Sequence, residues 1–134
     1  MSEPEGFFQA SEFRCRCKRP VCDARLEVHP DLLSRLNLLR LRVGRPLTIT
    51  SGLRCAYWND HEGGEKNSEH LTGEAADIAC GSGRERYGLL AAIFEGKTPL
   101  FTRFGVGASF LHVGVSATLP REVVWTYQNT TRPA

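Results

Sequence analysis

The sequence has no long apolar run. Nothing in its 134 residues approaches the ~20 consecutive apolar residues that carry a helix across a bilayer, so no membrane span is expected. A large charge excess is also missing: the net charge of +2 is too small to imply a nucleic-acid partner. The opening Met1-Ser2-Glu3-Pro4-Glu5-Gly6 is polar and acidic, unlike the basic and apolar segments of a signal peptide. The expectation is synthesis in the cytoplasm, with either retention in the cell or release by another system. No internal repeat and no low-complexity segment is present. An even cysteine count is absent too. Five cysteines, at 15, 17, 22, 55 and 80, without a signal peptide, argue against a disulfide framework. The tight Cys-x-x-Cys pairs of common zinc modules do not occur. Cys15-x-Cys17-x4-Cys22 would hold a structural zinc only with Cys55, Cys80 or His29 as a further ligand, and free thiols are the expected state. Arg14, Arg16, Lys18 and Arg19 form a basic cluster. It reads as a solvated loop, with attraction to an anionic envelope as the alternative.

What is present suits one domain over 1–134, long enough to bury a core. Phe7, Phe8 and Phe13 suggest a short helical turn pinned to that core, followed by a cysteine-rich loop to residue 29. Pro30 suits a first helical turn. Leu32, Leu33, Leu36, Leu39 and Val43 recur at helical spacing, and Gly44 with Pro46 stops the helix. Leu47-Thr48-Ile49-Thr50 alternates as a strand. Residues 51–67 read as a long loop, often a functional feature in a compact domain. Residues 75–79 form a short strand. Ser82 and Glu85 make a capping box for a helix whose buried stripe is Tyr87, Leu90, Ala91 and Phe94, ending at Gly96. Strands over 101–106 and 110–115 pair as a hairpin through Gly107-Ala108, and 123–127 is a final strand. This order predicts an α+β fold, a small antiparallel sheet with helices on one side.

The chemistry centres on Ser68-Glu69-His70-Leu71-Thr72-Gly73-Glu74-Ala75-Ala76-Asp77. Imidazole nitrogen and carboxylate oxygen are good Zn²⁺ ligands. Gly73 lets the chain turn sharply between His70 and Asp77. A catalytic zinc typically takes three protein ligands and keeps one open position, and His112 is the candidate for the third. In the strand from 110 to 115, alternation turns Leu111, Val113 and Val115 one way and Phe110, His112 and Gly114 the other. A lone histidine there would more often be a hydrogen-bonded surface residue; beside His70 and Asp77 the ligand reading wins.

The motif Ser68-x-His70-x-x-Gly73-x-Ala75-x-Asp77 resembles that of the zinc D-Ala-D-Ala peptidases of the M15 group. Glu12-Phe13-x-Cys15, Thr50-Ser51-Gly52-Leu53-Arg54-Cys55, Asn59, Gly63-Gly64, Asn67, Phe110-Leu111-His112-Val113 and Val124-Trp125-Thr126-Tyr127 extend the resemblance, in order, over nearly the whole chain. It implies the fold shared with hedgehog signalling domains and a Zn²⁺ held by His70, Asp77 and His112. It implies a role for Arg54 in stabilising an oxyanion or a substrate carboxylate, against which stands a structural ion pair with one of the motif's acids. Ser68 is implied as a substrate contact, with loop capping as its alternative.

The family pattern is incomplete at the general base. The usual acid three residues before the last histidine is Ser109 here, and the frequent acid two residues after it is Gly114. An acid introduced at 109 is therefore expected to raise activity. Glu62, Glu69 and Glu74 are nearby carboxylates; His29 and His61 read as surface residues. The function implied is that of a zinc metallopeptidase, carboxypeptidase or endopeptidase, hydrolysing D-amino-acid-containing bonds of peptidoglycan stem peptides after release to the cell wall, in a bacterium or in an endolysin-like bacteriophage system. The alternative is a zinc-containing cell-wall binding or structural module of the same fold. Oligomeric state is left open.

Overall fold

The computed structural model describes residues 6–25 and 27–127. After a 3₁₀ turn at Ala10–Phe13 come helix α1 (Pro30–Val43), strand β1 (Ile49–Ser51), helix α2 (Ala56–His61), a second 3₁₀ turn (Glu69–Thr72), β2 (Ala75–Ala79), α3 (Gly83–Phe94), β3 (Arg103–Val106), β4 (Phe110–Gly114) and β5 (Val123–Thr126). The strands form one sheet in the order β1-β2-β4-β3-β5. The architecture is the expected α+β. The sheet is antiparallel except at one edge, where β5 runs parallel to β3. The segment after β4 crosses over to the far side of β3 instead of folding back as a hairpin, and a crossover of this kind makes the pairing parallel.

α1 begins and ends where its sequence says. Pro30 occupies the first turn, His29 Nδ1 accepts the Asp31 N–H as N-cap, and Gly44 closes the helix in the left-handed region at φ 78°. Leu32, Leu36 and Leu39 are fully buried. α3 starts at its expected cap: Ser82 Oγ accepts the Glu85 N–H at 3.2 Å. The Glu85 carboxylate reaches back to the Gly81 N–H. Its buried face differs from the expected one. Leu89, Ala92 and Ile93 are buried, whereas Tyr87 is 76% exposed and Phe94 55%. Apolar residues lie all around this helix, so its periodicity fits two stripes; docking against the rest of the core chooses the one containing Ile93.

The apolar core unites α1 and α3 with one face of the sheet, through Ile49, Ala76, Ile78, Phe104, Leu111 and Val113. Each such Ile, Leu, Val or Phe side chain contributes roughly 1.5–3 kcal/mol on burial. The strand period of two then dictates the rest. Between Ala76 and Ile78 stands Asp77, and between Leu111 and Val113 stands His112; these project from the opposite face and are directly paired across β2 and β4. The expected loop 51–67 holds a helix that its sequence did not announce, α2, capped by Cys55, whose Sγ accepts the Trp58 N–H. No helix among the described residues is long and apolar enough to cross a membrane.

Candidate metal centre

The 3₁₀ turn at Glu69–Thr72 carries His70 to the sheet face that Asp77 and His112 occupy. Ser68 caps this turn by accepting the His70 N–H at 3.2 Å. Gly73 ends it at φ 74°, and a Cβ there would press on Glu27 O and Leu53. Its carbonyl accepts the His29 N–H at 2.8 Å. The sharp turn read from Gly73 is therefore present, and a larger residue would be strained by both its backbone angle and its neighbours.

His70, Asp77 and His112 are all buried, and each offers one ligand atom within 4.8 Å of the others. The approach converges on one carboxylate oxygen. Asp77 Oδ1 lies 3.2 Å from His70 Nε2 and 2.9 Å from His112 Nδ1. The outward nitrogen of each ring is already engaged. His70 Nδ1 is 2.7 Å from the Gly52 carbonyl, and His112 Nε2 is 2.9 Å from Glu69 Oε2. A metal-binding histidine typically donates its second N–H to a carbonyl or carboxylate, which fixes ring orientation and tautomer. Both rings meet that condition, one with each kind of acceptor. The donor set of two imidazoles and one carboxylate fits zinc.

The electrostatics follow from burial and these pairs. Burial alone would raise the Asp77 carboxyl, but the charge on His70 and hydrogen bonds from both histidines hold it well below the ordinary range. Burial pushes His70 down. For His112 burial acts in the same sense but is outweighed by hydrogen bonds to Asp77 and Glu69, which raise it.

Arg54 sits beneath this cluster. Its side chain is 0% exposed, and Nη2 lies 3.5 Å from Asp77 Oδ2. Nε donates to Ser51 Oγ at 3.1 Å, and Nη1 to Asn59 Oδ1 at 3.0 Å. This is the geometry of an ion pair that holds the motif's aspartate, the alternative weighed for Arg54 from sequence. Ser68 caps the turn, the alternative weighed for it from sequence, and it also lines a cleft of about 570 Å³ beside His112, within the ~300–1,000 Å³ range of ligand sites. Ser109 is exposed in the bend just before β4 and is not among the residues lining that cleft. It stands outside the strand that carries His112 and apart from the cleft, so an acid there would not meet the site. The expectation of a gain from an acid at 109 is corrected accordingly.

Glu69 explains the glycine at 114. A Cβ on Gly114 would collide with the Glu69 carboxylate, which fills the space where a family acid would project. The carboxylate is buried and fully engaged. Arg103 Nε donates to both its oxygens at 3.1 Å, the Ser116 N–H to Oε1 at 3.1 Å, and His112 Nε2 contacts Oε2. Burial would raise the Glu69 carboxyl, but the His112 hydrogen bond and the charges of His112 and Arg103 lower it. A carboxylate held by three donors in this way fixes the orientation of the His112 ring. Sequence reading named Glu69 only as a nearby acid and missed Arg103, because their contact joins residues 34 apart in the chain and no local pattern marks it. Replacing Glu69 by Gln is expected to weaken zinc affinity about 10–100-fold, read by competition with a chelating dye.

Two other carboxylates, Glu62 and Glu65, line the cleft. Glu62 is half-buried, and its charge acts on Arg54. Glu74 lies outside the cleft lining and receives the Thr72 hydroxyl. Trp125 lies tilted beside His112, with ring centroids 5.3 Å apart, and under the Arg103 guanidinium. The Tyr127 hydroxyl is buried with no hydrogen-bond partner among the described residues, and its residue lines the cleft. His29 serves as a helix cap and His61 stacks on Trp58; neither joins the cluster.

A family profile described as peptidase M15 matches residues 7–114. The chain belongs to the peptidase M15 family. The chain is also 39% identical over 49 residues to a zinc D-Ala-D-Ala carboxypeptidase of Streptomyces albus G. That match spans 36% of this chain and 19% of that protein. All three members of the buried cluster lie inside the region that the M15 profile covers.

Proposed function

We propose that this M15 protein is a zinc peptidase that hydrolyses bonds involving D-amino acids in peptidoglycan stem peptides. The observation that carries the proposal is the convergence of His70 Nε2, Asp77 Oδ1 and His112 Nδ1, with the outer nitrogen of each ring held by an acceptor. Similarity to a D-Ala-D-Ala carboxypeptidase supports the substrate class.

Zinc held there by His70, Asp77 and His112 supplies Lewis-acid polarisation of the scissile carbonyl and a lowered water pKa. The remaining roles belong to the chain itself. Arg54 positions Asp77 from below and acts as a positioning residue. Glu69, clamped by Arg103 and the Ser116 N–H, orients His112. Glu62, on the cleft wall, accepts the proton of the attacking water and delivers it to the leaving amine. The Tyr127 hydroxyl, buried and unsatisfied among the described residues, donates to a substrate oxygen, since leaving such a group unpaired costs about 1–3 kcal/mol. Ser68 and Trp125 supply polar and apolar contacts along the same cleft.

The test is incubation of the zinc-loaded protein with purified peptidoglycan, with fragments read by mass. Release of terminal D-alanine identifies a carboxypeptidase, and cleaved stems or cross-links an endopeptidase. Unchanged peptidoglycan and unchanged synthetic stem peptides, at full zinc occupancy, would replace this reading with that of a zinc-containing binding module.

A further inference from the structure

The four sulfurs of Cys15, Cys17, Cys22 and Cys55 all lie within 4.8 Å of one another. Three come from one loop, and the fourth comes from the start of α2. We propose that they form a second metal centre, a structural zinc tetrathiolate separate from the His70–Asp77–His112 site. Sequence spacing left the fourth ligand open between Cys55, Cys80 and His29. The fold selects Cys55, because Cys80 is placed elsewhere, with its Sγ near Ser82 O, and His29 caps α1.

The distances favour a metal over a disulfide. Cys15 Sγ and Cys55 Sγ are 3.7 Å apart. Zinc–sulfur bonds of ~2.3 Å in a tetrahedron place neighbouring sulfurs about 3.8 Å apart. A disulfide would need ~2.05 Å. Four soft thiolates fill a tetrahedral shell, which marks a closed structural site with no position for substrate.

The surroundings suit thiolates. Main-chain N–H groups point at three of the four sulfurs: Cys55 N at Cys15 Sγ, 3.3 Å, Arg19 N at Cys17 Sγ, 3.5 Å, and Trp58 N at Cys55 Sγ, 3.4 Å. Such bonds stabilise the charged ligand and fix its direction. Zinc with four thiolates carries a net negative charge, and the same loop supplies Arg14, Arg16, Lys18 and Arg19. The basic cluster has no part in the peptidase reading, and here it offsets that charge. Lys18 takes φ 59°, a left-handed turn that is uncommon for a residue other than glycine and that lies between Cys17 and Cys22.

The centre would do a definite structural task. Among the described residues no helix or strand lies between Phe13 and Pro30, so the loop has no backbone ladder to hold it. Binding four cysteines ties it to Cys55, the residue next to Arg54. Arg54 in turn holds Asp77. Structural zinc contributes directly to folding free energy in sites of this type.

The experiment is metal analysis of the full chain, purified under reducing conditions with zinc, together with cobalt substitution. The expected content is about two zincs per chain, falling to one in His70→Ala, to one in Cys17→Ser/Cys22→Ser, and to none in the combination. Cobalt in the His70→Ala protein should show intense near-ultraviolet thiolate-to-cobalt charge transfer. A mercurial thiol reagent should release one zinc from the unmodified chain. The last measurement needs no variant, so it decides the matter even if the double serine variant does not fold. Absence of the charge-transfer band, together with thiols that titrate without zinc release, would overturn the proposal. So would a mass lower by two hydrogens, which identifies a disulfide.

Discussion

His70→Ala is expected to abolish zinc binding at the buried cluster and to reduce hydrolysis by about 10³-fold or more. The side chain is wholly buried, and its two nitrogens are divided between the Gly52 carbonyl and the Asp77 carboxylate. Alanine removes one of the three proposed ligands and leaves Asp77 Oδ1 with a single imidazole partner. A bound metal supplies several kcal/mol of transition-state stabilisation, and about 1.4 kcal/mol corresponds to each factor of ten in rate. Zinc per chain and the rate on a synthetic stem peptide should be measured on the same preparation, with folding checked by circular dichroism. Retention of the site's zinc at full occupancy would remove His70 from the ligand set. Zinc lost with the rate unchanged would detach the proposed chemistry from this centre.

Glu62→Gln is expected to lower the turnover rate about 10²–10⁴-fold, the range typical of a positioned general acid–base group, while zinc content stays at the native value. The substitution keeps the shape and removes the proton acceptor. This role is proposed for Glu62 because it lines the cleft and is half-buried, whereas Glu69 and Glu74 are bonded elsewhere; Glu65, exposed on the same cleft, is its rival. Glu69 has its oxygens bonded to Arg103, Ser116 and His112. Glu74 takes the Thr72 hydroxyl, and Ser109 lies off the cleft. The contrast with Glu69→Gln is diagnostic, since that change should act on zinc affinity and leave the rate at saturating zinc much less affected. Ser109→Asp is expected to leave the rate unchanged. A native rate in Glu62→Gln with a collapsed rate in Glu65→Gln would move the base to Glu65; a rise in Ser109→Asp would return it to the position expected from the family pattern.

The local patterns settled a good deal of the fold. The apolar stripe and caps of α1, the Ser82 cap of α3, and the alternation that turns His112 away from the core are short-range properties, fixed by helix and strand periodicity. The motif from Ser68 to Asp77 also contained its own geometry. Ser68 caps, Gly73 turns, and Asp77 arrives on the site face because Ala76 and Ile78 take the other one. Two of the three clustered donors, His70 and Asp77, needed only this segment.

Tertiary structure decided what depends on residues far apart in the chain. The buried face of α3 was ambiguous because apolar residues surround the helix, and packing chose Ile93 over Tyr87. The parallel pairing of β5 depends on a crossover that no local pattern encodes. Arg54 read from sequence as a cleft residue with an ion pair as its rival, and its burial against Asp77, Ser51 and Asn59 could come only from the tertiary structure. Gly114 read as a missing acid until Glu69, on a distant turn, was seen to occupy the space its absent side chain leaves. The cysteines are the same case: their spacing left a fourth partner open among Cys55, Cys80 and His29, and Cys55 lies beside the other three because the loop folds onto the start of α2. Sequence periodicity fixes which way a side chain points along its own element; what it meets there is set by the packing of elements far apart in sequence.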